Sequence, residues 1–173
     1  MYMPMKKGAG GRQQSYDARG RYVSNQVMIT PTDAKISKKE KAVKAEVIRR
    51  TNLMNRARKS KDAFLFDAYL AIESEFPGEV VAVNDMRFDE NIGREREFDI
   101  ITKKCIIEVK SKQVRRKLTQ LQQQKLYAES KNKKHIVFAP EILPACKREY
   151  EQNGIVITTS KYELLQAMKG VKK

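Results

Sequence analysis

Between residues 64 and 76 the apolar positions Leu65, Phe66, Tyr69, Ile72 and Phe76 recur every three or four residues. At 100° per residue they fill a sector of about 120°, the stripe of a helix with one face in a core. This predicts a helix from about Ser60 to Ser74, closed by the turn pair Pro77-Gly78. After Gly78 the pattern becomes that of strands. EVVAVNDMRF, REFDII and KCIIEVKS are short runs rich in Val, Ile and Phe, separated by Asp, Asn, Gly and Lys-Lys, and they predict a three-stranded meander. A helix follows from Thr119 to about Lys131, then HIVFAP as a strand and a helix from Pro144 to Gln152. A stop at Asn153-Gly154, IVITT as a strand and a last helix from Ser160 to Met168 complete the chain. The order predicts an α/β domain, a mixed sheet with helices on its faces and no internal repeat.

The first third reads differently. Residues 1–31 mix Gly, Gln, Arg, Ser and isolated Tyr without a period, which predicts a flexible basic arm. Ser37 and Glu40 have capping-box spacing, and Val43, Val47, Ile48 and Met54 recur near a 3.6 period among lysines and arginines. The expected organisation is an arm over 1–31, a basic helix over 32–58 and a domain over 59–173.

Charge sharpens that division. Of 173 residues, 36 are Lys or Arg and 21 Asp or Glu; residues 1–60 hold 15 against 4, residues 61–173 hold 21 against 17. So basic a segment favours a polyanion, because neutralising phosphates releases counterions; a tail serving only solubility is the alternative. No apolar run reaches the roughly 18 residues of a membrane span, and no apolar stretch follows the first lysines as a secretory signal would. Cys105 and Cys146 make no metal-binding spacing and read as core thiols in a reducing cytoplasm. His135 is the only histidine, which excludes mechanisms needing two within this chain, and it reads as a hydrogen-bonded or exposed side chain. Asp85, Asp89, Glu90, Glu95 and Glu97 read as a solvated face, with Glu97 able to assist a site on its own strand.

The candidate chemistry lies in REFDIITKKCIIEVKSK. Asp99 belongs to the second strand, while Glu108 and Lys110, two apart in the third, share one face. A hairpin turning at Thr102-Lys103-Lys104 brings Asp99 and Glu108 to the same end. Two half-buried carboxylates repel, and a divalent cation is the usual relief.

This D-x(8)-E-x-K arrangement has Ile106-Ile107 ahead of Glu108, an acid-bearing helix before it and a helix soon after. It resembles the PD-(D/E)xK nuclease superfamily, which includes restriction endonucleases, Holliday-junction resolvases and RecB-type nucleases, over about residues 60–140. Phe98 stands where many members have proline. The resemblance implies a restriction-endonuclease-like αβββαβ core flanked by helices, here with an extra basic N-terminal helix. It implies Mg²⁺, with Mn²⁺ able to substitute, held by Asp99, Glu108 and the main-chain carbonyl of Val109, and Lys110 positioning the attacking water and stabilising developing charge. Asp62 is the best match for a further acid on the preceding helix, with Glu73 second. Gln123 and Tyr127 match the RecB-type Q-x-x-x-Y, but Gln120 and Gln124 also project near Tyr127, so the choice of glutamine stays open. Lys112, Arg115, Arg116 and Lys117 lie where a scissile backbone would pass. The implied activity is nucleic-acid hydrolysis, DNA in preference to RNA, with a homodimer possible. The C-terminal half is similar to toxin and phage nuclease modules, which suggests the cytoplasm of a bacterial or phage-infected cell. Two other functions remain open: a toxin-type RNase, and a non-catalytic nucleic-acid-binding protein on the same fold.

Overall fold

The structure, a computed structural model, describes residues 31–110 and 117–170 and two short strands before them, with side chains from residue 37 onward. The chain divides into two units, 1–44 and 45–173. In the first, β1 (Ser15–Tyr16) pairs antiparallel with β2 (Tyr22–Val23), a two-residue ladder within the segment read as an arm without strands. The rest of that arm lies outside the described residues. Helix α1 runs Pro31–Lys59, so Ser37 and Glu40 lie inside it and do not open it. Proline suits a first helical position, where its missing N–H has no intrahelical partner in any case.

In the second unit, Lys61 at φ 58 breaks the helical path between α1 and α2 (Ala63–Glu75). Asp62, not Ser60, caps α2, and its carboxylate accepts from the amides of Phe64 and Leu65 at 2.9 and 3.1 Å. Leu65, Ala68, Tyr69 and Ile72 form the buried stripe, close to the predicted one. Gly78 then turns the chain at φ 79, in the left-handed region that glycine enters without a steric cost.

The sheet is five-stranded, in the order β3 (Val80–Asp89), β4 (Arg94–Thr102), β5 (Cys105–Val109), β6 (Lys134–Phe138), β7 (Ile157–Thr158). The first three strands are antiparallel neighbours, and β6 and β7 continue parallel. Helix α3 (Leu118–Ser130) links β5 to β6, α4 (Pro144–Gln152) links β6 to β7, and α5 (Lys161–Lys169) follows, capped by Ser160. The expected α/β class with a mixed sheet is therefore present. Thr119 lies inside α3, one residue past its start.

Two layers of helix cover the sheet. Leu53, Leu65, Ile72 and Leu164, from α1, α2 and α5, pack on Val83, Ile100, Ile107 and Phe138. On the other face Tyr127 and Ala128 of α3 meet Phe98, Ile101 and Ile106, while Leu121 meets Val137 and Ile157. Cys105 is buried, as read, but Cys146 is only half-buried. Among the described residues no helix is long and apolar enough to cross a membrane.

Candidate active site

The hairpin forms where the sequence places it. Thr102 closes it, its hydroxyl accepting from the amides of Lys104 and Cys105, and β4 and β5 pair at Ile101↔Ile106 and Ile100↔Ile107. One residue further the ladder ends. The amide of Val109, which a continued ladder would give to the main chain of β4, donates instead to the Asp99 carboxylate at 2.7 Å. From there β4 follows β3 while β5 follows β6, where Glu108 and Val109 register with Val137 and Phe138. The sheet forks, and Asp99 and Glu108 stand at the fork.

The neighbouring strand is irregular at the same level. Val83 pairs with Ile100 and Asp85 with Phe98, with no bridge between Asn84 and Asp99, and Asn84 has φ 46. Strict alternation would put Phe98 and Ile100 on one face. They lie in the cores on opposite faces, so the chain turns over at Asp99, as a bulge re-aims a side chain.

Glu108 is only 4 % exposed; Lys110 pairs with its Oε1, while its Oε2 has no hydrogen-bond partner. Burial, and then the charge of Glu108, pushes the Asp99 pKa up to about 7, against the opposing Val109 amide and Lys110. The charge of exposed Glu97 acts on Asp99 in the same raising direction. A pair so placed gains from a cation.

The other expected residues part company. Asp62 serves as the cap of α2, and among the described residues no third His, Cys, Asp or Glu joins Asp99 and Glu108 in a ligand group. Glu73 accepts from the Gly78 amide at 3.2 Å and lies 3.8 Å from Arg50. The amide oxygen of Gln123 is held by Arg96 at 3.0 Å, and the Arg96 guanidinium also reaches the main-chain carbonyl of half-buried Gln120. Tyr127 is stacked on Phe98 with ring centroids 4.6 Å apart. Lys117 is exposed just ahead of α3, while Lys112, Arg115 and Arg116 lie outside the described residues.

Two readings, of Asp89 and of His135, are corrected. Asp89 is fully buried rather than solvated, because it organises the β3–β4 turn: its carboxylate accepts from Asn91 and lies 3.7 Å from Arg96. Gln124 is the buried glutamine of α3, and neither atom of its amide has a partner. His135 is buried, only 4 % exposed, and among the described residues neither ring nitrogen has a hydrogen-bond partner. Burial, helped by Lys110, Lys125 and Arg96, pushes its pKa down to about 4. Arg96 was hidden by its setting, since a strand reading REREF gives no sign of which charge turns inward.

A separate cleft of about 420 Å³ lies beside Arg49, Arg50, Gly78 and Lys103. Its arginines are engaged by Glu46, whose pKa they hold down at about 2, and it contains none of the fork residues.

Two predictions follow from these placements. Asp62→Ala should destabilise the protein by about 1 kcal/mol through the lost cap while leaving any metal affinity unchanged; urea unfolding and metal titration check both. The second concerns pH. A histidine held low contributes stability that is complete above its ordinary pKa and lost as pH falls through about 6.5 towards 4. Asp99, held high, acts oppositely: its contribution is complete below its ordinary value near 4 and lost as pH rises through about 7. The two offset each other between pH 4 and 6.5. Asp99→Asn should therefore expose the histidine, losing about 3 kcal/mol more than wild type between pH 7 and 4.5. Equal losses in urea melts would contradict it.

Comparison of the chain with protein families, with curated proteins and with solved structures finds no match.

Proposed function

We propose that this protein is a metal-dependent nuclease hydrolysing phosphodiester bonds of nucleic acid, DNA in preference to RNA, on a restriction-endonuclease-like version of its mixed sheet. The observation that carries this reading is the fork, where a carboxylate whose pKa is raised by burial and by its neighbour's charge stands against a second, buried carboxylate.

These residues fit a hard divalent cation, which takes oxygen ligands. Asp99, Glu108 and the main-chain carbonyl of Val109 would hold Mg²⁺, or Mn²⁺ in its place. Bound there, the ion supplies Lewis-acid polarisation of a phosphoryl oxygen and neutralises carboxylate charge. The protein does the rest. Lys110, now paired with Glu108, would release its ammonium towards a phosphate and stabilise the charge that develops on oxygen as a water attacks. The Val109 amide keeps Asp99 oriented without adding charge.

Affinity is assigned to the basic first third. Deleting residues 1–31 removes a net +4 and should reduce the slope of log K against log salt by up to about 4. An unchanged slope in binding titrations would contradict this assignment. The non-catalytic reading is favoured by one observation, the absence of a third acid at the fork among the described residues. Cleavage of nucleic acid with Mg²⁺ and with EDTA decides between the two.

A further inference from the structure

Five of the buried polar atoms without partners come from three residues on one side of the sheet: Glu108 Oε2, both ring nitrogens of His135 and both amide atoms of Gln124. The register brings them together. In β5, Ile106 and Glu108 face α3; in β6, His135 and Val137 do the same, and the pairs are Ile106↔His135 and Glu108↔Val137. Apolar and polar residues thus occupy alternate corners of a quadrilateral. Leu121 covers the Val137 corner and Ala128 the Ile106 corner. Gln124 lies between those two contacts on α3 and is 1 % exposed, so its side chain is enclosed over the same quadrilateral.

An unpartnered buried polar group is costly, and five together call for an occupant able to donate and accept. A cation would leave the amide N–H of Gln124 without an acceptor. Water meets the requirement, since buried water characteristically makes two to four bonds to such groups. We propose that Gln124 and His135 hold an ordered internal water against Glu108 Oε2, and that this water fixes the orientation of the Glu108 carboxylate. Gln124 and His135 are positioning residues in this account. The water itself stands without the nuclease reading; its consequence for rate rests on it.

The chain's single histidine makes the test direct. Labelling the full chain with ¹⁵N-histidine gives the signals of one imidazole. The expected result is a ring N–H that exchanges magnetisation with a long-lived water, and ring nitrogen shifts that move in Gln124→Met. A ring bonded directly to Gln124 or Glu108, or one with no water contact, overturns the proposal. In cleavage assays Gln124→Met should lower kcat about tenfold with KM unchanged. A wild-type protein that shows the water contact but cleaves nothing refutes the nuclease reading and leaves the water. One that cleaves with Mg²⁺ but lacks the contact refutes the water and leaves the nuclease.

Discussion

Glu108→Gln, and equally Asp99→Asn, should reduce metal-dependent cleavage by at least about a thousandfold, roughly 4 kcal/mol of barrier, while binding to nucleic acid is kept or tightened. Both effects have one cause. Each substitution removes a negative charge from a fork where the two carboxylates stand against each other, which lowers affinity for a cation and for nothing anionic. The substitutions should also differ in a way that activity alone does not reveal. With Glu108 neutral, Asp99 loses the second-largest cause of its raised pKa and returns towards the ordinary carboxylate range. With Asp99 neutral, the Val109 amide still finds an amide oxygen, so the fork persists. Single-turnover assays and metal titration check the pair, and a Glu108→Gln protein cleaving at the wild-type rate would remove Glu108 from the mechanism.

Lys110→Ala has the next largest effect, and it acts on stability as well as rate. Among the described residues, the ammonium is the only side-chain partner of a carboxylate that is almost completely buried. Removing it leaves an uncompensated charge, which should destabilise the metal-free protein by about 3 kcal/mol. A divalent cation can replace the lost charge, so Mg²⁺ should stabilise Lys110→Ala more than it stabilises wild type. Turnover should fall about a hundredfold even at saturating Mg²⁺. Lys110→Arg should recover the stability better than the rate, because a planar guanidinium does not take the place of a compact ammonium. Urea unfolding with and without Mg²⁺ reads the first effect. Equal metal stabilisation in mutant and wild type would show that the ion does not bind at Glu108.

The strands and the Glu-x-Lys pair were legible because alternation in a buried strand is a strong local constraint: Ile106, Ile107, Glu108 and Val109 have one workable arrangement beside β6. The hairpin was legible for the same reason, with Thr102-Lys103-Lys104 as its turn. What escaped depends on tertiary contacts. Asp62 was matched as an acid on the helix, but it is the cap residue, which precedes the helix and does not follow its rotation. Gln120, Gln123 and Gln124 are separated by about 40° to 100° around α3, and which of them turns inward is decided by how Leu121 and Ala128 seat on the sheet. Asp89 looked solvated in an acidic run because nothing local shows that a turn will close over it. The fork itself needs Asn84 at positive φ and a carboxylate substituting for a main-chain acceptor, neither of which leaves a periodic trace.

The most direct measurement is cleavage of supercoiled plasmid, linear duplex, branched DNA, single-stranded DNA and RNA by the wild-type chain, each with Mg²⁺ and with EDTA, alongside Glu108→Gln. The account predicts cleavage of at least one DNA substrate that depends on Mg²⁺ and is abolished by EDTA and by Glu108→Gln. Cleavage undiminished by EDTA, or no cleavage of any substrate by a folded protein that binds nucleic acid, would contradict it.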